Sequence, residues 1–172
     1  MNGVYLLQSK ILQANGNSET GPLQNLKTLA CASMSINKIE EMSMLKKLKY
    51  LDLSSNVISK LESLSPMENL ETLKLCQNKI SKIEGLSQLK NLKILQMANV
   101  SVEKLVGLLE LGKLEFLNLT NNKISKLEGL SNLKNLIFLD LVKNKISKLE
   151  GLSQLKSLQT LFLSLNRIIR VY

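Results

Sequence analysis

Residues 114–135 read LEFLNLTNNKISKLEGLSNLKN, and this stretch decides the fold. Leu114, Leu117 and Leu119 form L-x-x-L-x-L. The last step has a period of two, which places Leu117 and Leu119 on one face of a β-strand. Asn122 follows, and apolar residues then recur at every third position: Ile124, Leu127, Leu130, Leu133 and Leu136. Side chains eclipse every third residue along a 3₁₀ path, so this spacing suits a 3₁₀-type return better than an α-helix.

The same stretch recurs outward in both directions every 22 residues, without a gap. With Leu114 as position one, its equivalents are Leu26, Leu48, Leu70, Leu92, Leu136 and Leu158. Position four is Leu in every copy, from Leu29 to Leu161. Position six reads Cys31, Leu53, Leu75, Met97, Leu119, Leu141, Leu163. Six full repeats cover 26–157, and a seventh runs to Tyr172. One coil cannot bury its own apolar stripe, but stacked coils bury it between neighbours. The expected architecture is α/β: a curved solenoid with a parallel β-sheet on the concave face and 3₁₀-type turns on the convex face.

Position nine is Asn56, Asn78, Asn122, Asn144 and Asn166, but Met34 and Val100 in the other two coils. A buried Asn there can bond backbone groups that a tight corner would orphan. Altered or looser turns are therefore expected at Met34 and Val100. Gly85, Gly107, Gly129 and Gly151 recur at position sixteen and read as turn residues, not as a phosphate loop.

The pattern L-x-x-L-x-L-x-x-N-x-I, as in 114–124, resembles the leucine-rich-repeat family. The 22-residue form with I-x-x-L-x-x-L is similar to the subclass typified by the leucine-rich regulatory subunit of protein phosphatase 1. Residues 10–56 also resemble the start of the acidic leucine-rich nuclear phosphoproteins, with Met34 breaking the Asn ladder in a similar place. Their acidic tail is missing here, and this chain is basic. The first resemblance implies a protein partner, a protein phosphatase catalytic subunit being the first to test. The second implies histones or nucleic-acid-associated partners.

Residues 1–25 fall out of register and are expected to form an N-terminal cap, with Val4–Ala14 covering the first coil. Residues 26–172 are the repeats. If the chain stops inside coil seven, Leu158, Leu161, Leu163 and Ile168 are expected to face water. That end is then simply exposed in a monomer, the expected state, or covered by a partner or second copy.

The 172 residues carry 23 basic and 14 acidic side chains, a net charge of +9, and no His. Without His there is no His-based acid–base catalysis, no Ser–His or Cys–His nucleophile and no His-ligated metal. Cys31 takes a leucine position and should be buried, whereas Cys76 falls on the concave side, so a disulfide between them is not expected. No enzymatic activity, cofactor or small-molecule substrate is expected. No segment reads as a signal peptide or a membrane span, and cysteine-rich caps are missing. An intracellular site, cytoplasm or nucleus, is the expectation.

The candidate binding surface is the concave face. Its first outward column reads Thr28, Tyr50, Thr72, Ile94, Phe116, Phe138, Thr160. The second reads Ala30, Asp52, Lys74, Gln96, Asn118, Asp140, Phe162. All three Phe of the chain fall on this surface. The candidate site is Tyr50, Asp52, Lys74, Ile94, Phe116, Asn118, Phe138, Asp140 and Phe162, centred on coils four to seven. The Phe stripe reads as an interface anchor with a polar rim, or as cross-strand pairs that stabilise the sheet. Position thirteen is basic in every coil, from Lys38 to Arg170. Position fifteen is Glu40, Glu62, Glu84, Glu128 and Glu150, with Val106 as the exception. These ladders read as a solvated convex edge, or as a surface for nucleic acid or acidic membrane. Because the aromatics and the basic ladder lie on different faces, nucleic acid is not the expected partner.

Overall fold

The computed structural model describes residues 21–39 and 42–169. Seven three-residue strands form one parallel sheet in chain order. They are β1 (Thr28–Ala30), β2 (Tyr50–Asp52), β3 (Thr72–Lys74), β4 (Ile94–Gln96), β5 (Phe116–Asn118), β6 (Phe138–Asp140) and β7 (Thr160–Phe162). Every residue pairs with the one a single repeat later: Leu95 with Leu117, and Leu117 with Leu139. The register is that of the leucine pattern, because a slip by one residue would turn each buried leucine outward.

Each strand leaves the sheet through a corner of fixed shape. Position eight has a positive φ between 54° and 60° in all seven coils: Ser33, Ser55, Gln77, Asn99, Asn121, Lys143 and Leu165. Non-glycine residues seldom adopt this left-handed conformation. The corner is held by bonds between coils, such as Ser55 N–H to the Cys76 carbonyl at 2.8 Å and Asn121 N–H to the Val142 carbonyl at 2.8 Å.

The asparagine ladder fastens the inside of the same corner. Asn122 Nδ2 donates to the Met97 and Leu119 carbonyls at 2.8 and 3.0 Å, and its Oδ1 accepts from Val102 N–H at 2.9 Å. Asn78 and Asn144 repeat this pattern one coil on from their own neighbours. At Met34 the corner is altered as expected: Ser35 joins Ser33 at positive φ, and Met34 N–H donates to Asn56 Oδ1. At Val100 the corner is altered as well, with a turn over 98–100 like that over 32–34, but it is not loosened. Asn99 keeps φ 56°, and Ser101 N–H still bonds the Ile80 carbonyl at 2.8 Å. Val100 is itself buried, so apolar packing and the intercoil backbone bonds hold this corner without the side-chain amide.

The return path has the expected period of three. Short 3₁₀ helices cover Met42–Met44, Glu62–Leu64 and Val106–Leu108. Elsewhere, leucines three apart close 3₁₀-type bonds, as in Leu133 N–H to Leu130 O and Leu136 N–H to Leu133 O. The core is a single column of these side chains, with Leu51, Leu73, Leu95, Leu117 and Leu139 at 0% exposure. A 3₁₀ helix also spans Gly21–Asn25, with Leu23 buried in the same core. The cap expected over Val4–Ala14 lies outside the described residues. In the last coil, Leu158, Leu161 and Leu163 are partly buried against the core, while Ile168 is exposed.

Glycine at position sixteen answers two demands. Gly85, Gly129 and Gly151 have φ of 81°, 100° and 94°. Gly107 lacks positive φ, but a Cβ there would lie 1.5 Å from the Ile83 carbonyl oxygen. At these four glycines the neighbouring coil passes too closely for a side chain.

Candidate functional site: the concave face

The strands present positions three and five on the concave face, and all nine candidate residues lie on it. They fall into two groups. At coils two and three, the Lys74 ammonium sits 5.4 Å from the centre of the Tyr50 ring. Tyr50 beside it raises the Lys74 pKa, outweighing the opposite effect of partial burial. Ion–ring attraction of this kind is worth about 0.5–1 kcal/mol at exposed sites. Asp52 lies beside Lys74 in the register of the second column.

The second group occupies coils four to seven. Ile94, Phe116 and Phe138 are consecutive partners in the first column. Phe116 and Phe138 stack at 4.2 Å between centroids, with only 3° between ring planes. Phe162, from the second column, meets Phe138 edge-on at 5.6 Å and 67°. Phe116 and Phe138 are half-buried, and Phe162 is 46% exposed. Ile137, just before β6, is exposed beside them at 39%.

Three candidate polar residues have local work. Asp52, Asn118 and Asp140 each accept from the amide two residues on, Ser54, Thr120 and Val142, at 2.9–3.0 Å. They turn the chain out of the strand toward the left-handed corner.

The charge ladders take the expected place on the convex side. Lys60–Glu62, Lys82–Glu84, Lys126–Glu128 and Lys148–Glu150 pair at 3.4–3.8 Å, all strongly exposed. The Arg170 rung and Glu40 lie outside the described residues. Clefts of 330–510 Å³ separate successive rungs, lined for example by Ser81, Lys82, Glu84, Glu103 and Lys104. They recur from coil to coil, as spaces between the ridges of a repeat must. One network has no counterpart in the sequence reading. The Glu71 carboxylate bridges Lys49 at 2.7 Å and Lys93 at 3.1 Å, joining three coils along position two. The Lys49 ammonium, followed by that of Lys93, holds Glu71 below the usual carboxylate range. The 22-residue step contained this signal, since positions 49, 71 and 93 read Lys, Glu, Lys.

Cys31 is buried and Cys76 half-buried, and no disulfide joins them. Burial pushes the Cys76 thiol up, away from a reactive thiolate. Among the described residues, no cluster of three His, Cys, Asp or Glu could hold a metal ion. No helix among them is long and apolar enough to cross a membrane.

Comparisons with known proteins agree with this geometry. A model described as "Leucine Rich repeats (2 copies)" matches residues 68–110 and 112–152, and one described as "Leucine Rich Repeat" matches residues 47–67. No curated protein matches the chain. Among solved structures, an internalin (inlF) from Listeria monocytogenes is 30% identical with a TM-score of 0.79, covering 90% of this chain and 47% of that one. An internalin C2 (inlC2) from the same organism is 25% identical with a TM-score of 0.72, covering 94% and 84%. A leucine-rich-repeat protein of Leptospira interrogans is 26% identical with a TM-score of 0.76, covering 87% and 40%. The chain thus spans about half the length of the inlF structure it resembles. Domains of this kind typically serve as protein-binding scaffolds through their extended concave surface. The matched repeats, the sheet register and the buried leucine column together place this chain in the leucine-rich-repeat family.

Proposed function

We propose that this chain is a non-enzymatic protein-binding module, scaffold or regulatory in role, and that coils four to seven of its concave face hold the partner. The observation that carries the reading is the aromatic stripe. All three Phe sit together on a non-core face, with Phe162 46% exposed. Large aromatics at the centre of a patch are the usual anchors of protein interfaces.

The 22-residue pattern nominates a protein phosphatase 1 catalytic subunit as one partner to test. That nomination rests on scaffold leucines, which carry no partner contacts, and the similar solved structures point to bacterial internalins instead. The net charge of +9 weighs against the acidic-phosphoprotein reading, because histones are themselves basic.

Affinity capture from lysate of the source cell tests the site. The intact chain is run beside a Phe116→Ala/Phe138→Ala/Phe162→Ala variant shown to fold. One protein retained by the first and lost by the second supports the concave site. Equal capture by both makes the stripe a structural feature of the sheet and sinks the proposal.

A further inference from the structure

The concave stripe has one rim that is built without acidic residues. Past the strands, positions eight and ten form the corner edge of the solenoid. Position eight runs from Ser33 to Leu165, and position ten from Ser35 to Arg167. Neither column contains an acidic residue in any coil. In coils five to seven these columns supply Lys123, Lys143, Lys145 and Arg167, all exposed, with Lys123 and Lys145 also lining a cleft shared with Glu103, Lys126 and Glu128. None of the four makes an ion pair among the described residues, whereas the convex lysines 60, 82, 126 and 148 each face a glutamate. The opposite rim, at position two, differs. Coils five to seven place Glu115, Ile137 and Gln159 there. The patch is therefore basic along one rim and mixed along the other, where Ile137 is the apolar member.

From the proposed concave site and this asymmetry, we propose that the partner is an acidic polypeptide segment with apolar side chains. Its apolar residues seat on the edges of Phe116, Phe138 and Phe162, and its carboxylates meet the Lys123, Lys143, Lys145 and Arg167 rim. The stripe and the rim are separated by roughly 10–15 Å at the rise of an extended strand. A single helix about 10 Å wide, or one extended segment, spans that distance. The aromatic geometry disfavours nucleic acid. The facing planes of Phe116 and Phe138 cover each other at 4.2 Å, and Phe162 closes on Phe138 edge-on. Base stacking needs open ring faces, whereas apolar side chains pack against ring edges.

The probe is a phage-displayed library of random peptides, about 16 residues long, selected on the intact chain. Enriched peptides should carry net negative charge and at least two large apolar residues. Affinity of a synthesised winner should fall at least tenfold in a Lys123→Glu/Lys143→Glu/Lys145→Glu variant and at least tenfold in Phe138→Ala. It should stay within twofold in Lys60→Glu/Lys82→Glu, which reverses paired charges on the convex side. Phe162→Ala, at the exposed end of the stripe, serves if Phe138→Ala fails to fold. Loss with the Phe variants but not with rim reversal leaves the concave site standing and overturns the acidic partner. Loss with rim reversal alone overturns both. Neutral or basic winners, or no enrichment, overturn the acidic partner. So does a single-stranded oligothymidine that binds more tightly than any peptide and depends on the same lysines.

Discussion

Val100 forgoes the side-chain hydrogen bonds that Asn56, Asn78, Asn122, Asn144 and Asn166 make at the same place in their coils. The groups that would receive an amide there are in position. By the repeat register the Ile80 N–H lies where Val102 N–H lies for Asn122, and the Leu75 carbonyl takes a bond from Asn78. Val100→Asn should therefore raise stability by about 1 kcal/mol, from new bonds set against lost apolar burial. Asn122→Ala should lower it by about 2–3 kcal/mol, because it strands Val102 N–H and the Met97 carbonyl, while the Leu119 carbonyl keeps its bond from Asn144. Urea unfolding of both variants checks the pair, and a destabilised Val100→Asn would show that shape, not bonding, rules this corner. Glycine offers a second test at the same scale. Gly129→Ala should cost about 2–3 kcal/mol, because φ is 100° and a Cβ would lie 2.6 Å from the Leu105 carbonyl oxygen. Gly112→Ala meets open space, with the nearest atom 4.0 Å away, and should be neutral or slightly stabilising by thermal melt. The asparagine ladder and its gaps were legible from spacing alone. The shape of the Val100 corner was not, because the corner also depends on backbone bonds to both neighbouring coils.

Within a strand, alternation assigns adjacent residues to different work. Leu139 is fully buried, whereas Phe138 beside it is half-buried on the concave side. Leu139→Ala should cost about 2–5 kcal/mol through lost burial and a cavity. Phe138→Ala should cost about 1 kcal/mol, as loss of an aromatic pair on an open face. A chemical denaturation series reads the contrast, and equal losses would make Phe138 a core residue in energetic terms. Between strands, the Lys49–Glu71–Lys93 bridge predicts a pH response. The folded Glu71 pKa is depressed, so its stabilisation is present above the unfolded glutamate pKa. It is lost as pH falls through the lower, folded value. NMR titration should find the Glu71 carboxyl ionising below the ordinary glutamate range, and Lys49→Met should move it back up. An unshifted Glu71 would mean that the bridge does not persist in solution. Which side chains lie one above another followed from the 22-residue step. That a Glu between two Lys reaches both was not visible in the leucine pattern, because exposed positions show no hydrophobic signal.

A solenoid couples each coil directly to its neighbours alone, so stability is transmitted step by step along the axis. The contacts bear this out, since each strand pairs with the next and β1 is hydrogen-bonded only to β2 among the strands. Leu117→Ala, at the middle of the core, should therefore lower hydrogen-exchange protection most in β4, β5 and β6 and least in β1. Uniform loss across the seven strands would instead make the described solenoid one cooperative unit.

The sequence by itself determined the parallel sheet, its register, the buried leucine column and the asparagine corners. A period of 22 residues, with a two-step and then three-steps inside it, leaves one stacking that buries every stripe. It also assigned the nine candidate residues to the concave side. Only the tertiary structure decided how those residues meet. It stacks Phe116 on Phe138, turns Phe162 edge-on to Phe138, sets Lys74 over Tyr50 and leaves the lysines of the corner rim without ion pairs among the described residues. The physical reason is that burial is cooperative and periodic and so writes itself into spacing. Contacts on an exposed face are set by rotamer, ring plane and the particular neighbour one coil away, and these are fixed once the coils have stacked.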